Sequence, residues 1–180
     1  MGLAAIAKPL IILLIGEKWL PAVPFLQIIC FSGMLYPLHA INLNILQVKG
    51  RSDLYLKLEI IKKIIAVITI FIGIFWGIEC MLWGGVFVSF ISFFLNSYYS
   101  ADLIDYSTKN QISDIFPFLI ISLIVSFCIW LISFTEWSHI IILIIQIIVG
   151  IGLYWFISEK LPIQEYQEVR QLVFSLFKKK

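Results

Sequence analysis

The stretch IFPFLIISLIVSFCIWLISFT, residues 115–135, decides the fold class of this chain. It contains no Asp, Glu, Lys or Arg, and a helix needs about 20 mainly apolar residues to cross the hydrocarbon core of a bilayer. Backbone polar groups in lipid must be paired within the segment, and a helix does this. The stretch therefore predicts a transmembrane helix at about 115–134.

The composition of the whole chain agrees with this prediction. Hydrophobic residues make up 61% of the 180 positions and charged residues 13%, whereas soluble domains carry about 25% charged residues. The composition excludes a soluble globular domain, a disordered chain and a nucleic-acid-binding protein. The three cysteines, Cys30, Cys80 and Cys128, lie far apart in apolar runs and exclude a disulfide scaffold.

Other charge-free runs cover residues 19–48, 64–78, 80–101 and 137–158, and residues 1–16 are interrupted only by Lys8. We extend the third run back to residue 54, because Lys62 and Lys63 can snorkel to the headgroups. The sequence thus predicts an all-α integral membrane protein whose transmembrane region covers 1–158. Its six predicted helices lie at about 1–16, 21–46, 54–77, 81–102, 115–134 and 138–158.

The positive charges predict the orientation of these helices. Of the 13 Lys and Arg residues, all except Lys18 fall on one side of the six-helix topology. The positive-inside rule places that side, with both termini, in the cytoplasm. Residues 159–180 are expected to form an amphipathic basic tail on the cytoplasmic leaflet. Residues 1–16 are short for a span and are expected to be the end of a longer helix.

Motifs of covalent catalysis are absent from the sequence. There is no GxSxG, Walker loop, HExxH or CxxC pattern. The two histidines are far apart and the acidic residues are scattered. We therefore predict no catalytic residue, no metal site and no cofactor.

The second predicted helix carries the most polar side chains at membrane depth. Polar groups in hydrocarbon are costly and usually face protein or water. Gln27, Tyr36, His39, Asn42 and Asn44 are therefore candidates for lining a substrate cavity; the alternative is polar contact between packed helices. His39 can exchange protons near neutral pH, or it can be a neutral histidine bonded to a neighbouring helix.

Four cations follow this helix in the chain. Lys49, Arg51, Lys57 and Lys63 are candidates for contact with lipid or substrate phosphates on the cytoplasmic face. The alternative is a solvated start of the third helix that carries only positive-inside charges.

Two strings between residues 16 and 63 resemble a known transporter family. They read GEKWLPAVPFLQIICFSG and NLNILQVKGRSDLYLKLEIIKK. They are similar to the oligosaccharide flippases of the multidrug/oligosaccharidyl-lipid/polysaccharide exporter superfamily, especially the lipopolysaccharide and colanic-acid exporter type. The positions that match the motifs of that group are Gly16, Trp19, Ala22, Pro24, Leu26, Gln27, Asn42, Leu46, Lys49, Gly50, Arg51, Asp53 and Leu54.

The resemblance implies that the chain is the C-terminal part of a fourteen-helix, two-lobe flippase in the bacterial inner membrane. Such a protein moves undecaprenyl-diphosphate-linked oligosaccharides across the membrane for lipopolysaccharide, capsule or exopolysaccharide synthesis. Its partners would be the bilayer, the lipid-linked oligosaccharide and a missing N-terminal half or partner subunit.

Three alternatives stay open. The chain can be a non-transporting remnant or helper subunit that needs a separate N-terminal half. It can be a drug exporter of the same superfamily, although the Gly-Arg-Ser-Asp loop at residues 50–53 favours the polysaccharide branch. It can also be a small membrane enzyme of glycan-lipid assembly, which would need clustered carboxylates or histidines that the sequence lacks.

Overall fold

The computed structural model describes residues 1–160, and within that range the chain is helical without strands. The predicted tail at 159–180 lies almost wholly outside the described residues. A 3₁₀ helix covers Glu17–Ala22, and another covers Ile132–Phe134. The α-helices are α1 (Gly2–Ala5), α2 (Ala7–Ile15), α3 (Val23–Gly33), α4 (Tyr36–Val48), α5 (Ser52–Trp76), α6 (Ile78–Ile104), α7 (Thr108–Leu131) and α8 (His139–Lys160).

Four helical segments within residues 1–160 are long and apolar enough to cross a membrane. They are Glu17–Val48, Ile78–Ile104, Thr108–Phe134 and His139–Lys160. The all-helical membrane fold is thereby confirmed, whereas the count of six spans stays a prediction. The two remaining predicted spans differ from these four for separate physical reasons.

The first predicted span, 1–16, is short and interrupted. It consists of α1 and α2, which meet at Ile6, and it ends at Gly16 with a φ of 95°. The third, 54–77, corresponds to α5, which is long enough at 25 residues. Its first half carries Asp53, Lys57, Glu59, Lys62 and Lys63, and this charge density separates it from the four apolar segments.

The second predicted span, 21–46, is a broken helix. After the 3₁₀ turns at Glu17–Ala22, α3 ends at Gly33 and α4 begins at Tyr36. Pro37 has no backbone N–H and so cannot continue the hydrogen bonding of a preceding turn. Gly33 and Pro37 thus lie on either side of the break.

The helices pack into a thin bundle in which α6 is the common neighbour of α3, α4 and α5, while α7 and α8 pack on each other and on α1 and α2. Gly77, with a φ of 93°, makes the turn between α5 and α6. The two helices then approach closely at glycines: a Cβ on Gly73 would lie 2.8 Å from Met81 Cβ, and one on Gly84 would lie 2.9 Å from Thr69 Cγ2.

Apolar side chains cover much of the outside of this bundle. Phe75 is 75% exposed and Ile148 is 65% exposed. A small core forms around Ile121 and Val125, with Leu153 among the residues packed against it. Exposing so large an apolar surface to water is unfavourable because of the hydrophobic effect. The surface is therefore typical of a chain that is surrounded by lipid or by further protein.

Candidate functional site

A cluster of polar side chains fills the interface of α4, α6 and α7. Ordinarily such groups are buried in proteins only with hydrogen-bond partners. Asn42 is 1% exposed and Ser100 is 0% exposed. We call this group the polar cluster. Its buried members are Asn42, Asn96, Ser97, Ser100 and Gln111, and His39 and Ser89 are half-buried.

Asn42 is the centre of the cluster. Its Nδ2 donates to Gln111 Oε1 on α7 at 3.0 Å and to Leu38 O within α4 at 3.0 Å. Its Oδ1 accepts a hydrogen bond from Ser100 Oγ on α6. One side chain therefore connects three helices, which is the role of a polar contact between packed helices.

His39 lies one turn before Asn42 and also faces α6. Its Nε2 is 3.2 Å from Ser89 Oγ, and its Nδ1 is 3.5 Å from Asn96 Nδ2. Ser89 Oγ donates in turn to Ser32 O at 2.9 Å. The ring is thus bonded to a neighbouring helix at the break between α3 and α4.

The remaining polar candidates of this segment lie elsewhere. Tyr36 is 72% exposed, and Asn44 is also exposed. At about 100° per residue, the step of eight positions from Tyr36 to Asn44 amounts to about 80° around the helix, whereas Asn44 lies about 200° from Asn42. Tyr36 and Asn44 therefore share an outward surface, which we call the exposed polar face of α4.

Gln27 is separate from both groups. Its Nε2 donates to Ala4 O at 3.1 Å and so ties α3 to α1. It lines a cavity of about 320 Å³ together with Phe31, Ser126 and Trp130, among others. The structure therefore brings His39 and Asn42 into one cluster and leaves Gln27, Tyr36 and Asn44 outside it.

The four candidate cations are all exposed near the α4–α5 turn. Arg51 forms an ion pair with Asp53, with Nε 3.1 Å from Oδ1. The hydrogen bond from Arg51 holds the pKa of the Asp53 carboxyl below its usual value, and it raises that of the guanidinium. Within residues 1–160, Lys49 and Lys57 form no ion pair, and both side chains are exposed.

Several partners in the cluster were not anticipated from the sequence. On α6, Ser89, Asn96 and Ser100 follow one another at intervals of seven and four residues, which places them along one face of a helix. This polar stripe could have been recognised in the sequence as a polar face of α6. Gln111 had no such pattern, because it lies among other polar residues in the first turns of α7.

A second groove lies between α1, α7 and α8. Its volume is about 650 Å³, and it is lined by mainly apolar residues together with Ser126, Gln146 and Tyr154. Gln146 is wholly buried, and its Nε2 donates to Ile129 O at 2.8 Å. Over residues 1–160, no three His, Cys, Asp or Glu side chains are grouped so that they could hold a metal ion.

Comparison with known proteins gives two distant relatives. A Klebsiella pneumoniae protein named "Uncharacterized membrane protein in cps region" is 31% identical over 77 residues, which are 43% of this chain and 16% of that protein. The "Teichuronic acid biosynthesis protein TuaB" of Bacillus subtilis (strain 168) is 28% identical over 122 residues, which are 67% of this chain and 25% of that protein.

The matched stretches span a quarter or less of these relatives. No family model matches the chain, and no solved structure matches it. Together with its apolar helices, the likeness identifies a multi-pass membrane protein with distant similarity to proteins of polysaccharide loci.

Proposed function

We propose that this chain is part of an exporter that flips undecaprenyl-diphosphate-linked oligosaccharides across the bacterial inner membrane. Two observations from sequence support the proposal. One relative is named for a cps region and the other for teichuronic acid biosynthesis. The strings at residues 16–63 also resemble the flippase motifs. The proposed activity moves the lipid without making or breaking a covalent bond.

The observation that carries the proposal is the exposed polar face of α4. Tyr36 and Asn44 project outward from a segment that is apolar enough to cross the membrane. Exposing such groups to hydrocarbon is costly, so they are expected to face protein or water. Since the matched stretches cover only a small part of the relatives, we assign the opposite wall of this cavity to a further part of the exporter.

The cavity proposal also fits the chemistry of the substrate. Hydroxyl and amide groups such as those of Tyr36 and Asn44 exchange hydrogen bonds with sugar hydroxyls. The exposed Lys49, Lys57 and Lys63 would attract the diphosphate on the cytoplasmic side, where charge-assisted hydrogen bonds are strong. Arg51 is already paired with Asp53 and would contribute less to attracting the diphosphate.

The proposal includes six spans with cytoplasmic termini. Labelling with a membrane-impermeant maleimide tests this topology after the three native cysteines are replaced by serine. We expect Lys49→Cys to react only from the cytoplasmic side and Glu136→Cys only from the opposite side, because three predicted spans, an odd number, lie between the two positions. Labelling of both positions from the same side would contradict the topology.

Export itself can be tested in the bacterium that carries the gene. Deletion is expected to leave lipid-linked oligosaccharide in the cytoplasmic leaflet and to remove the surface polysaccharide. Complementation with Asn44→Leu should restore at most about one tenth of the surface polysaccharide, a loss of about 1.4 kcal/mol or more in binding or transport. The matched control is Ile148→Ala, which alters an exposed apolar residue of α8.

Each result has a distinct meaning. Normal export by Asn44→Leu, at wild-type protein levels in the membrane, would remove the cavity role of the exposed polar face. Unchanged polysaccharide after gene deletion would overturn the exporter proposal as a whole. Accumulation of a drug, rather than of the lipid-linked sugar, in the deletion strain would also overturn it.

A further inference from the structure

The break between α3 and α4 is bridged by one side chain of α6. Because α3 ends at Gly33, the carbonyls of its last turn lack the donors of a continuing helix. Ser89 Oγ donates to one of them, Ser32 O, at 2.9 Å. The same hydroxyl lies 3.2 Å from His39 Nε2, so Ser89 holds both ends of the broken helix.

These contacts define where His39 carries its proton. A serine hydroxyl has one proton, and Ser89 uses it on the carbonyl of Ser32. Ser89 Oγ therefore accepts from the Nε2–H of His39. On the other side of the ring, Asn96 Nδ2 can only donate, so His39 Nδ1 is the acceptor at 3.5 Å. From these partners we assign the neutral Nε2–H tautomer to His39.

Asn96 adds an unused acceptor to this arrangement. The residue is wholly buried, and its Oδ1 has no hydrogen-bond partner among the described residues. A buried acceptor without a partner is costly. Turning the side-chain amide by about 180° exchanges Nδ2 and Oδ1 and would present Oδ1 to His39 Nδ1, where it could accept an N–H donated by the imidazolium.

The charged groups that act on His39 come from α5. Burial of the ring opposes a positive charge on it, as does the like charge of Lys62, whereas Glu59 favours one. The two form an ion pair with each other, so their effects on the ring partly offset. From α6, the groups in contact with the ring are the neutral Ser89 and Asn96.

We propose that His39 is a proton-binding site, in which Nδ1 takes up one proton from water and the amide of Asn96 turns so that Oδ1 accepts the new N–H. The Nε2–H bond to Ser89 is kept in both states. Proton uptake thus places a positive charge at the break in the helix without removing the contact that closes the break. A role for that charge in driving export rests on the proposed function; the proton site does not.

The two histidines of the sequence, His39 and His139, make a direct test feasible. The whole chain, labelled with ¹⁵N-histidine and reconstituted in lipid bilayers, is followed by solid-state NMR over a pH series, and His39→Gln assigns the signals. We expect His39 to be the Nε2–H tautomer at neutral pH and to become imidazolium reversibly on acidification. His139, the first residue of α8, serves as the internal control.

Substitutions of Asn96 test the turning amide. Asn96→Leu removes the acceptor and should lower the midpoint of the His39 titration by about one pH unit, a tenfold loss of proton affinity. Asn96→Asp keeps the shape and supplies a stronger acceptor, so it should raise the midpoint; this variant also covers the case in which Asn96→Leu does not fold. In both variants the His139 midpoint should be unchanged.

Three results would overturn the proposal. They are a neutral His39 down to the pH at which the helical circular dichroism is lost, an Nδ1–H tautomer at neutral pH, and a His39 midpoint that neither substitution of Asn96 moves. Because the readout is NMR of the chain itself, it does not depend on transport. Failure of the exporter proposal and failure of the proton site are therefore separately visible.

Discussion

The two faces of α4 carry similar polar residues, but one face is covered by other helices and the other is exposed. On one face, His39 and Asn42 are bonded to α6 and α7. On the other, Tyr36 is 72% exposed, and Asn44 is exposed as well. Asn42 and Asn44 are the same residue type two positions apart, so the difference between them is one of surroundings alone.

The comparison distinguishes polar residues that stabilise the fold from polar residues whose hydrogen-bonding groups are exposed. Asn42 donates to Gln111 on α7 and to Leu38 O of its own helix, and its acceptor is used by Ser100 on α6, so nothing is left for a substrate. Asn44 is exposed, so its amide is open to water, to substrate or to another part of an exporter. Substitutions at these two positions should therefore affect different measurements.

The largest effect on stability is expected for Asn42→Leu. The change leaves Gln111 Oε1 without its donor and Ser100 Oγ without its acceptor, both in buried surroundings. Leaving buried polar groups unpaired costs about 1–3 kcal/mol, and we expect about 2 kcal/mol. The measurement is the unfolding free energy in mixed micelles titrated with denaturing detergent.

Two variants sharpen this result. Asn44→Leu is the matched control and should change the unfolding free energy by less than about 0.5 kcal/mol, as exposed positions do. In the double variant Asn42→Leu with Gln111→Leu, the second substitution should cost less than it does alone, because the partner is already unpaired. Equal destabilisation by Asn42→Leu and Asn44→Leu would break the distinction between the two faces.

Much of the fold could be predicted from hydropathy, because lipid tolerates only long apolar helices in a chain of this composition. The span expected at 81–102 corresponds to Ile78–Ile104, and that at 138–158 to His139–Lys160. Gly33 and Pro37, residue types that can bend a helix, flank the break between α3 and α4. The separation of residues 1–16 into α1 and α2 was not predicted, although Pro9 in the first turn of α2 has no N–H to donate to Ala5 O and so favours a break there.

The candidate site was less predictable for a physical reason. Sequence shows that a polar residue lies at membrane depth, but the rotation of its helix is set by the neighbouring helices. The sequence therefore did not distinguish a cavity lining from polar contacts between packed helices for the second predicted helix. The structure places Asn42 in packing contacts, while for Gln27, Tyr36 and Asn44 the role in a cavity stays a prediction. The partner side chains on α6 could have been found only by pairing its polar stripe with α4.

The glycines of α6 repeat the contrast between covered and open positions, with a smaller expected effect. Gly84→Ala places a Cβ 2.9 Å from Thr69 Cγ2, whereas Gly85 has nothing within 4 Å of the added atom. Alanine favours a helix over glycine by about 1 kcal/mol, so Gly85→Ala should stabilise the chain slightly. At Gly84 the clash with a β-branched neighbour should outweigh that gain and destabilise by about 1 kcal/mol. The unfolding assay measures both, and Thr69→Ala should restore the Gly84→Ala variant in part, because it removes Cγ2 but leaves a Cβ 3.0 Å from the added atom. If Gly84→Ala were as stable as Gly85→Ala, α5 and α6 would not approach as closely as the structure shows, and the covered face of α6 would have to be reassigned.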